Sequence, residues 1–381
     1  MQVIVTDTHT RMSLAVLREL GQAGFEITAV VREDKPKLGH ACRYVKQRVT
    51  LPVSGYTNAL LQLPQGSVFL PTTMETLTIA AHNHTAFSSR FHTLLSNAQD
   101  LTQAADKPAV AAIARTLGLL VPQDYPLDAP QFPCVLKYRN GEVLGLPADQ
   151  RYAIAHTSAE FEEKYQAMTQ RATIAHHSPL TIHPHNLFAS QYIPGNAYGV
   201  SAVLDNNSNP VAIFCHERIR EYPITGGPAC CAQAVWHPRM IDGATKLLKS
   251  LQLKGFAMVE FKGTPNEPYL LEVNPRIWGT YPLTYICNAQ MATAYVQSAQ
   301  KQCRTPNTKY QTSPPWLGQK MQYLPNDLCN LATALRTRTK QRGNAIADLF
   351  SPKCRGGVFA WRDLRSSLTY AIGLLKTGGR A

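Results

Sequence analysis

Two neighbouring segments are the most informative part of the sequence: Met258-Val259-Glu260-Phe261 and Leu270-Leu271-Glu272-Val273-Asn274-Pro275-Arg276. Apolar and polar residues alternate in both segments, which is typical of β-strands, and Gly263-Thr264-Pro265-Asn266 between them predicts a turn. Because alternate residues of a strand share a face, we expect Glu272, Asn274 and Arg276 to point the same way. Glu260 is expected to reach them from the neighbouring strand.

These residue types favour a metal site beside an anion site. Two carboxylates and an amide oxygen are hard oxygen ligands of the kind Mg²⁺ prefers, so Glu260, Glu272 and Asn274 are the candidate ligands. Arg276 adds a fixed cation for a developing anion. The alternative is an edge hairpin whose polar side chains simply face solvent.

The start of the chain predicts a parallel sheet. An apolar run at Val3-Ile4-Val5, a helical pattern over residues 12–20 and a second strand over residues 26–31 form a β-α-β unit. Another buried strand is expected at residues 67–70. We place a first α/β domain at residues 1–103. Its opening loop lacks G-x-G-x-x-G, which argues against a nicotinamide site.

The middle of the chain mixes helices and strands. Asp106 is the expected N-cap of a helix that Gly118 ends. Strands are predicted at residues 134–137 and 188–193, and a hairpin at residues 199–204 and 211–215. A helix over residues 241–251 precedes the strand that carries Glu260.

Composition narrows the class of protein. Hydrophobic residues make up 44% and charged residues 17% of 381 residues, which indicates an ordinary globular protein of two or three domains. No apolar run is long enough for a transmembrane helix and the N-terminus does not resemble a signal peptide, so we expect a cytoplasmic protein without membrane insertion.

The net charge of +13 is concentrated near the end of the sequence. Residues 331–381 hold ten lysines and arginines but only two acids, Asp348 and Asp363. A solvated basic helical face is the favoured interpretation. No interleaving of aromatic and basic residues points to RNA, so no nucleic-acid partner is expected.

The segment E-V-N-P-R after an apolar strand, with V-E-F upstream, resembles the metal-binding end of the ATP-grasp superfamily. Four further segments resemble it in the same order. They are Asp106-Lys107, Val135-Leu136-Lys137, Gln191-Tyr192-Ile193-Pro194-Gly195, and His216 to Pro223 with Gly226-Gly227.

The nearest branch appears among carbamoyl-phosphate-synthase-like ligases. That resemblance implies an α/β fold: an N-terminal parallel α/β domain at residues 1–103, an α+β ATP-grasp domain at residues 104–305, and a basic C-terminal segment at residues 306–381.

The resemblance also implies an activity, in which ATP and Mg²⁺, or Mn²⁺ in its place, join a carboxylate to an amine through an acyl phosphate. Lys107 and Lys137 would hold phosphates, and the backbone of Gln191 and Ile193 would hold adenine. The expected ligands of the phosphoryl group and the substrate carboxylate are Arg218, Arg220 and Arg276. The implied partners are a small carboxylate and an amine, with amino acids among the candidates. Ligases of this sort often form homodimers, which leaves the oligomeric state open.

Two alternatives remain from the sequence. One is a carboxylase of the biotin-carboxylase type, and the other is a non-catalytic ATP-binding scaffold, against which the intact acids and lysines argue. His176, His177, His183 and His185 are interpreted as a solvated loop. Thr8, Arg11 and Ser13 are interpreted as helix capping in preference to a substrate site.

Overall fold

The computed structural model describes residues 2–139, 146, 150–174, 187–224, 227–300, 314–337 and 341–376. The chain opens with a four-stranded parallel sheet in the order β3-β2-β1-β4, which confirms the predicted β-α-β start. Its strands are β1 (Gln2–Val5), β2 (Glu26–Arg32), β3 (Val45–Leu51) and β4 (Val68–Leu70).

Helices accompany this sheet. They are α1 (Arg11–Gln22), α2 (Tyr56–Leu61), α3 (Met74–His82), α4 (His84–Arg90) and α5 (Ala98–Ala105). Helix α1 is capped, but by Thr10, which was not among the expected residues Thr8, Arg11 and Ser13: the Thr10 hydroxyl accepts from the Ser13 backbone N–H at 3.1 Å. The Thr8 hydroxyl donates to the Val30 carbonyl at 3.0 Å, so it supports strand β2.

A small antiparallel sheet follows, in the order β5-β8-β6-β7. Its strands are β5 (Asp124–Tyr125), β6 (Cys134–Tyr138), β7 (Tyr152–Ala155) and β8 (Leu187–Gln191). Helix α6 (Lys107–Thr116) precedes it and α7 (Ser158–Ile174) lies between β7 and β8. As predicted, Asp106 caps α6, and Gly118 after it has a φ of 73°.

The third sheet has seven strands in the order β13-β12-β9-β10-β11-β14-β15. The two predicted hairpins, β9–β10 and β12–β13, lie within it. Its strands are β9 (Asn196–Leu204), β10 (Pro210–Glu221), β11 (Ala229–Val235), β12 (Gly255–Gly263), β13 (Pro268–Asn274), β14 (Lys320–Gln322) and β15 (Cys354–Gly356).

The remaining helices cover the large sheet and the chain end. They are α8 (Pro238–Ser250), α9 (Tyr281–Ile286), α10 (Met291–Ala299), α11 (Leu324–Thr337), α12 (Gln341–Leu349) and α13 (Leu364–Lys376). Within the described ranges, no helix combines the length and the apolar character needed to cross a membrane.

Two of the sheets share their hydrophobic cores. Val5 and Leu17 of the first region pack in one cluster with Phe256 and Trp278. Full burial of each such side chain contributes about 1.5–3 kcal/mol, so the first sheet and the large sheet hold each other firmly. The small sheet has its own core around Leu136.

The proposed domain bounds stay a prediction. The boundary at residue 103 falls inside α5, and residues 306–381 supply two strands of the large sheet.

Candidate active site between two sheets

The candidate site begins with two carboxylates that face each other. Glu260 on β12 pairs directly with Glu272 on β13. Like charges at opposed positions destabilise a sheet, so this pair needs compensation. Asn274 supplies part of it, because its Nδ2 donates to Glu272 Oε1 at 3.1 Å and to Glu260 Oε1 at 3.3 Å. The alternation of the strand thus brings all three side chains together.

Two cations complete these pairs. Lys107 Nζ lies 3.0 Å from Glu272 Oε2, and Arg218 pairs with Glu260 through Nη2. Lys107 begins α6, where a positive charge opposes the helix dipole by about 0.3–1 kcal/mol. A cation at this unfavourable position indicates that it serves the site and not the helix.

The carboxylates have opposite pKa shifts. Burial by itself raises the pKa of Glu272, but the charge of Lys107 and the bond from Asn274 outweigh it and hold that pKa at about 2. Burial raises the pKa of Glu260, while Arg218 pulls it down and Glu272 pushes it up again. Glu272 is therefore the firmly ionised member of the pair.

Lys137 approaches from the small sheet, near the end of β6. Burial lowers the pKa of its ammonium group to about 8, and the negative charge of Glu272 limits the shift. In the part of the chain that the structure describes, Nζ of Lys137 has no hydrogen-bond or ion-pair partner. A desolvated, unpaired ammonium is suited to an anionic ligand.

The predicted adenine-binding hinge lies at the end of the same small sheet. Gln191 is the last residue of β8, and Ile193 is buried just beyond it. The backbone N–H of Gln191 donates to the Gln123 carbonyl at 2.8 Å. That donor is already engaged, so any role of Gln191 toward adenine falls to its other groups.

Arg276 lies two residues beyond the end of β13, near the carboxylate pair. Its Nη1 donates to the backbone carbonyl of Ile277 at 2.9 Å, which fixes the guanidinium near the strand end. The charge of Arg276 contributes to lowering the pKa of Glu260, so the two groups are near each other. Because β13 ends at Asn274, the strand alternation does not extend to Arg276, and its role as a ligand of the transferred group stays a prediction.

Arg220 corrects a prediction. We expected Arg218 and Arg220 to share a face and to bind ligand together, but the register between β10 and β11 shifts at these residues. Such a bulge turns the following side chain away from the alternation. Arg220 is instead fully buried and donates to Asp327 at 2.7 Å and to Asp348 at 2.6 Å. It is a structural ion pair and not part of the site.

Two further residues lie near the site, and the sequence interpretation gave neither of them a role in it. The ring of His216 packs over Gly199, where an added Cβ would lie 2.3 Å from Cε1. Its Nε2 is 3.0 Å from the Thr280 hydroxyl, which ties β10 to the loop after Arg276. Burial, and then the charge of Arg218, lower the pKa of His216 to about 3. This histidine is therefore neutral and positions its neighbours.

Arg11 is the other. Its guanidinium stacks at 3.6 Å on the ring of Tyr323, whose hydroxyl donates to the Gly279 carbonyl at 2.8 Å. Nη1 of Arg11 is buried with no partner among the described residues. The capping interpretation of this segment therefore holds for Thr10 and Ser13 but leaves Arg11 unused. No spacing in the sequence links Arg11 to Tyr323.

The residues present fit a magnesium–nucleotide complex in part. Glu260 and Glu272 offer carboxylate oxygens on one face, as Mg²⁺ requires, while Asn274 turns its amide nitrogen toward them. No group of three or more His, Cys, Asp or Glu side chains in the described ranges is arranged for a metal. The remaining ligands would then come from phosphate and water. The four histidines at 176–185 and Gly226 lie outside the described residues.

Comparison with solved structures identifies the fold. Biotin carboxylase of Campylobacter jejuni in its β,γ-ATP complex superposes with a TM-score of 0.62 at 14% identity, over 78% of this chain and 70% of that one. The biotin carboxylase domain of 2-oxoglutarate carboxylase from Hydrogenobacter thermophilus gives 0.60 at 13%, over 80% and 70%. The L-amino acid ligase of Bacillus licheniformis gives 0.54 at 15%, over 78% and 74%. At such identities the similarity is one of fold.

These similarities of fold agree with the resemblance of the sequence to the ATP-grasp superfamily. More particularly, residues 183–323 match the family model described as ATP-grasp in the biosynthetic pathway with Ter operon.

Proposed function

We propose that this protein is an ATP-dependent ligase that joins a carboxylate to an amine through an acyl phosphate. The single observation that carries the proposal is Lys137, a half-buried ammonium without a partner in the described chain, whose charge lies close enough to Glu272 to interact with it. That arrangement suits a triphosphate whose metal is held by the carboxylates.

The chemistry follows from charge placement. An oxygen of the substrate carboxylate attacks the γ-phosphorus, ADP leaves, and an acyl phosphate forms. The amine nitrogen then attacks the acyl carbon, phosphate leaves, and the nitrogen loses a proton. Mg²⁺, or Mn²⁺, when bound by Glu260 and Glu272 would neutralise phosphate charge. Lys107 and Lys137 hold phosphate oxygens, while Arg218 and Arg276 stabilise the transferred group.

Arg218 supports this assignment by its own geometry. It is held between Glu260 and Glu221, with the second contact at 3.5 Å. A guanidinium oriented by two carboxylates keeps a fixed fork that an incoming phosphoryl oxygen can share. The substrate carboxylate and the amine are proposed as small molecules, with amino acids first in the panel to be tested.

The test is a search for amine-dependent ADP release. Purified protein, ATP and Mg²⁺ are incubated with pairs of amino acids, and ADP and phosphate are measured separately. Hydroxylamine in place of the amine should trap the acyl phosphate as a hydroxamate. AMP and diphosphate as the products would overturn the acyl-phosphate mechanism. ADP release that needs bicarbonate and biotin, and no amine, would favour the carboxylase alternative.

Glu272→Gln is the variant that tests the proposed metal site. It removes one charge from the pair that holds the metal, and we expect nearly complete loss of ADP release with the fold retained. The control is Glu267→Gln, because Glu267 is an exposed glutamate in the turn between β12 and β13. Equal Mg²⁺ dependence in Glu272→Gln and in Glu267→Gln would show that the metal lies elsewhere.

A further inference from the structure

Helix α13 docks on the protein with a polar face. Arg18 of α1 donates through Nε to Asp363 at 2.9 Å and through Nη2 to Ser366 at 2.9 Å and Ser367 at 3.2 Å. Its Nη1 donates to the carbonyl of Val358 at 2.6 Å. The salt bridge is almost wholly buried, with 2% and 1% of the two side chains exposed. Polar bonds therefore fix the orientation of this helix.

The opposite face of α13 is apolar and exposed. Leu364, Leu368, Ile372 and Leu375 follow one another at spacings of three and four residues, so they form one stripe. Their exposed fractions are 43%, 60%, 52% and 84%. A surface helix normally buries such a stripe. Here the inward face carries the two serines and Tyr370, which packs against the core, while the four stripe residues stay outside. An exposed apolar stripe of this kind is typical of a surface that meets another phase or molecule.

Aromatic side chains extend this surface at the start of the helix. Phe359 and Trp361 are 52% and 79% exposed, and their ring centroids are 5.0 Å apart in an edge-to-face arrangement. Tryptophan has an apolar ring with one polar N–H, which suits a boundary between water and an apolar medium. We call Phe359, Trp361 and the four stripe residues of α13 the apolar surface.

The charges around the apolar surface indicate what kind of partner it can bind. In residues 331–381 the only two acids are Asp348 and Asp363, and both are buried in ion pairs, with Arg220 and Lys320 and with Arg18 respectively. The described basic residues of this stretch that bear no such partner are exposed. They are Arg336, Lys353, Arg355, Arg362 and Arg365. The surroundings of α13 supplied by this segment are therefore cationic.

We infer that the apolar surface docks on an anionic lipid bilayer, with α13 lying in the plane of the interface. Leu368 and Ile372 would enter the boundary of the acyl chains, Trp361 would lie among the headgroups, and Arg362 and Arg365 would meet lipid phosphates. The 13 described residues of the helix are fewer than the roughly 20 that cross a bilayer, and the proposed contact is an in-plane one. This contact is separate from the proposed ligase chemistry.

The experiment is flotation of the full chain with vesicles. Phosphatidylcholine vesicles with and without phosphatidylglycerol are compared at low and at high salt. We expect binding to the anionic vesicles only, weakened by salt, and weakened roughly fivefold for each arginine removed in Arg362→Gln and Arg365→Gln. Equal binding to both kinds of vesicle, or none to either, contradicts the inference.

A matched pair of variants tests the stripe. Leu368→Glu with Ile372→Glu should abolish binding. Val53→Glu with Leu335→Glu makes the same charge change at two residues that are each 50% exposed outside the stripe, and should retain most of it. Unfolding temperatures of all variants check the fold. If the Leu368→Glu/Ile372→Glu variant instead splits a dimer of the wild type that binds no vesicles, the stripe joins two copies of this chain and the lipid assignment is wrong.

Trp361 supplies a direct signal. Trp278 is fully buried, and Trp236 and Trp316 are partly buried, so lipid contact should shift chiefly the emission of Trp361 to shorter wavelength. Trp361→Phe should remove the shift while keeping flotation. A shift that persists in Trp361→Phe would place the contact elsewhere on the protein.

Discussion

Arg218 and Arg220 are two residues apart on one strand, yet they belong to two different clusters of charge. In the Arg220 cluster, the positive charges of Arg220 and Lys320 are balanced by the negative charges of Asp327 and Asp348. The side chain of Arg220 is 0% exposed. Around Arg218 the carboxylates also have cations, but Lys137 is left without a partner in the described chain. The first cluster is balanced within the described chain, and the second leaves one cation, Lys137, for the ligand that we propose.

A single bulge in β10 thus places Arg220 in a structural ion-pair cluster and Arg218 beside the candidate site. A buried charge that is fully paired adds specificity to the fold, while one unpaired cation at a gap between sheets costs free energy unless an anion arrives. Four predictions test the difference between the Arg220 cluster and the Arg218 cluster.

The largest effect is expected for Arg220→Met. It leaves Asp327 and Asp348 buried without their cation, which should lower the free energy of unfolding by about 3–5 kcal/mol. Denaturant unfolding measures this. Adding Asp327→Asn should restore part of the loss, and Arg336→Met, at an exposed arginine of α11, serves as the control. Unchanged stability in Arg220→Met would mean that removing the guanidinium does not leave Asp327 and Asp348 as buried, uncompensated charges.

Arg218→Lys should change turnover and not stability. Lysine cannot reproduce the bidentate fork, so loss of transition-state stabilisation by about 2.7–4 kcal/mol, or about 10²–10³ in turnover, is expected. The measurement is ADP release with the substrate pair found active. Arg220→Lys, assayed well below its unfolding temperature, is the matched control. An equal loss of turnover in both variants would remove the distinction between the clusters.

The pH dependence of ATP use tests the unpaired lysine. Burial lowers the pKa of Lys137 to about 8, and only the protonated form attracts phosphate. The value of kcat/KM for ATP should therefore fall by about tenfold per pH unit above that pKa. In Lys137→Arg the side chain stays charged, so the decline should move to higher pH. The same profile in Lys137→Arg and wild type would assign the titration to another group.

The smallest effect is expected for Glu221→Gln. Its contact with Arg218 is 3.5 Å long, and both side chains are about one-fifth exposed, so solvent screens the pair to about 0–1 kcal/mol. A double-mutant cycle with Glu260→Gln separates the two partners of Arg218. Coupling larger for Glu221 than for Glu260 would reverse our view of which carboxylate orients the guanidinium.

Local rules predicted the regular parts of the molecule. The period of two along β13 brought Glu272 and Asn274 together as expected, and the turn residues predicted both hairpins. Arg276 lies beyond the end of this strand, so its expected place in the site stays a prediction. The same rule failed at Arg220, because a bulge depends on the neighbouring strand and leaves no mark in the sequence of β10 itself. Sequence spacing also gives no access to partners more than 100 residues away, such as Asp327 and Asp348 for Arg220.

The helix at the chain end shows a second limit. The spacing of Leu364, Leu368, Ile372 and Leu375 shows an amphipathic helix in the sequence itself. Periodicity tells which residues share a face but not which face turns inward. The face of α13 that turns inward is fixed by Arg18, which lies 345 residues from Asp363 in the sequence and binds the serines of α13.

The distance between Arg18 and Asp363 has a consequence for biosynthesis. A ribosome adds about 5–20 residues per second, so α1 emerges roughly 17–70 s before its carboxylate partner does. Arg220 likewise waits for Asp327 and Asp348. The nascent chain therefore carries two cations whose final environment does not yet exist, and it cannot close its core early. Chains cut short before residue 327 lack the partners of both arginines, so we expect them to be more sensitive to proteases than the full chain.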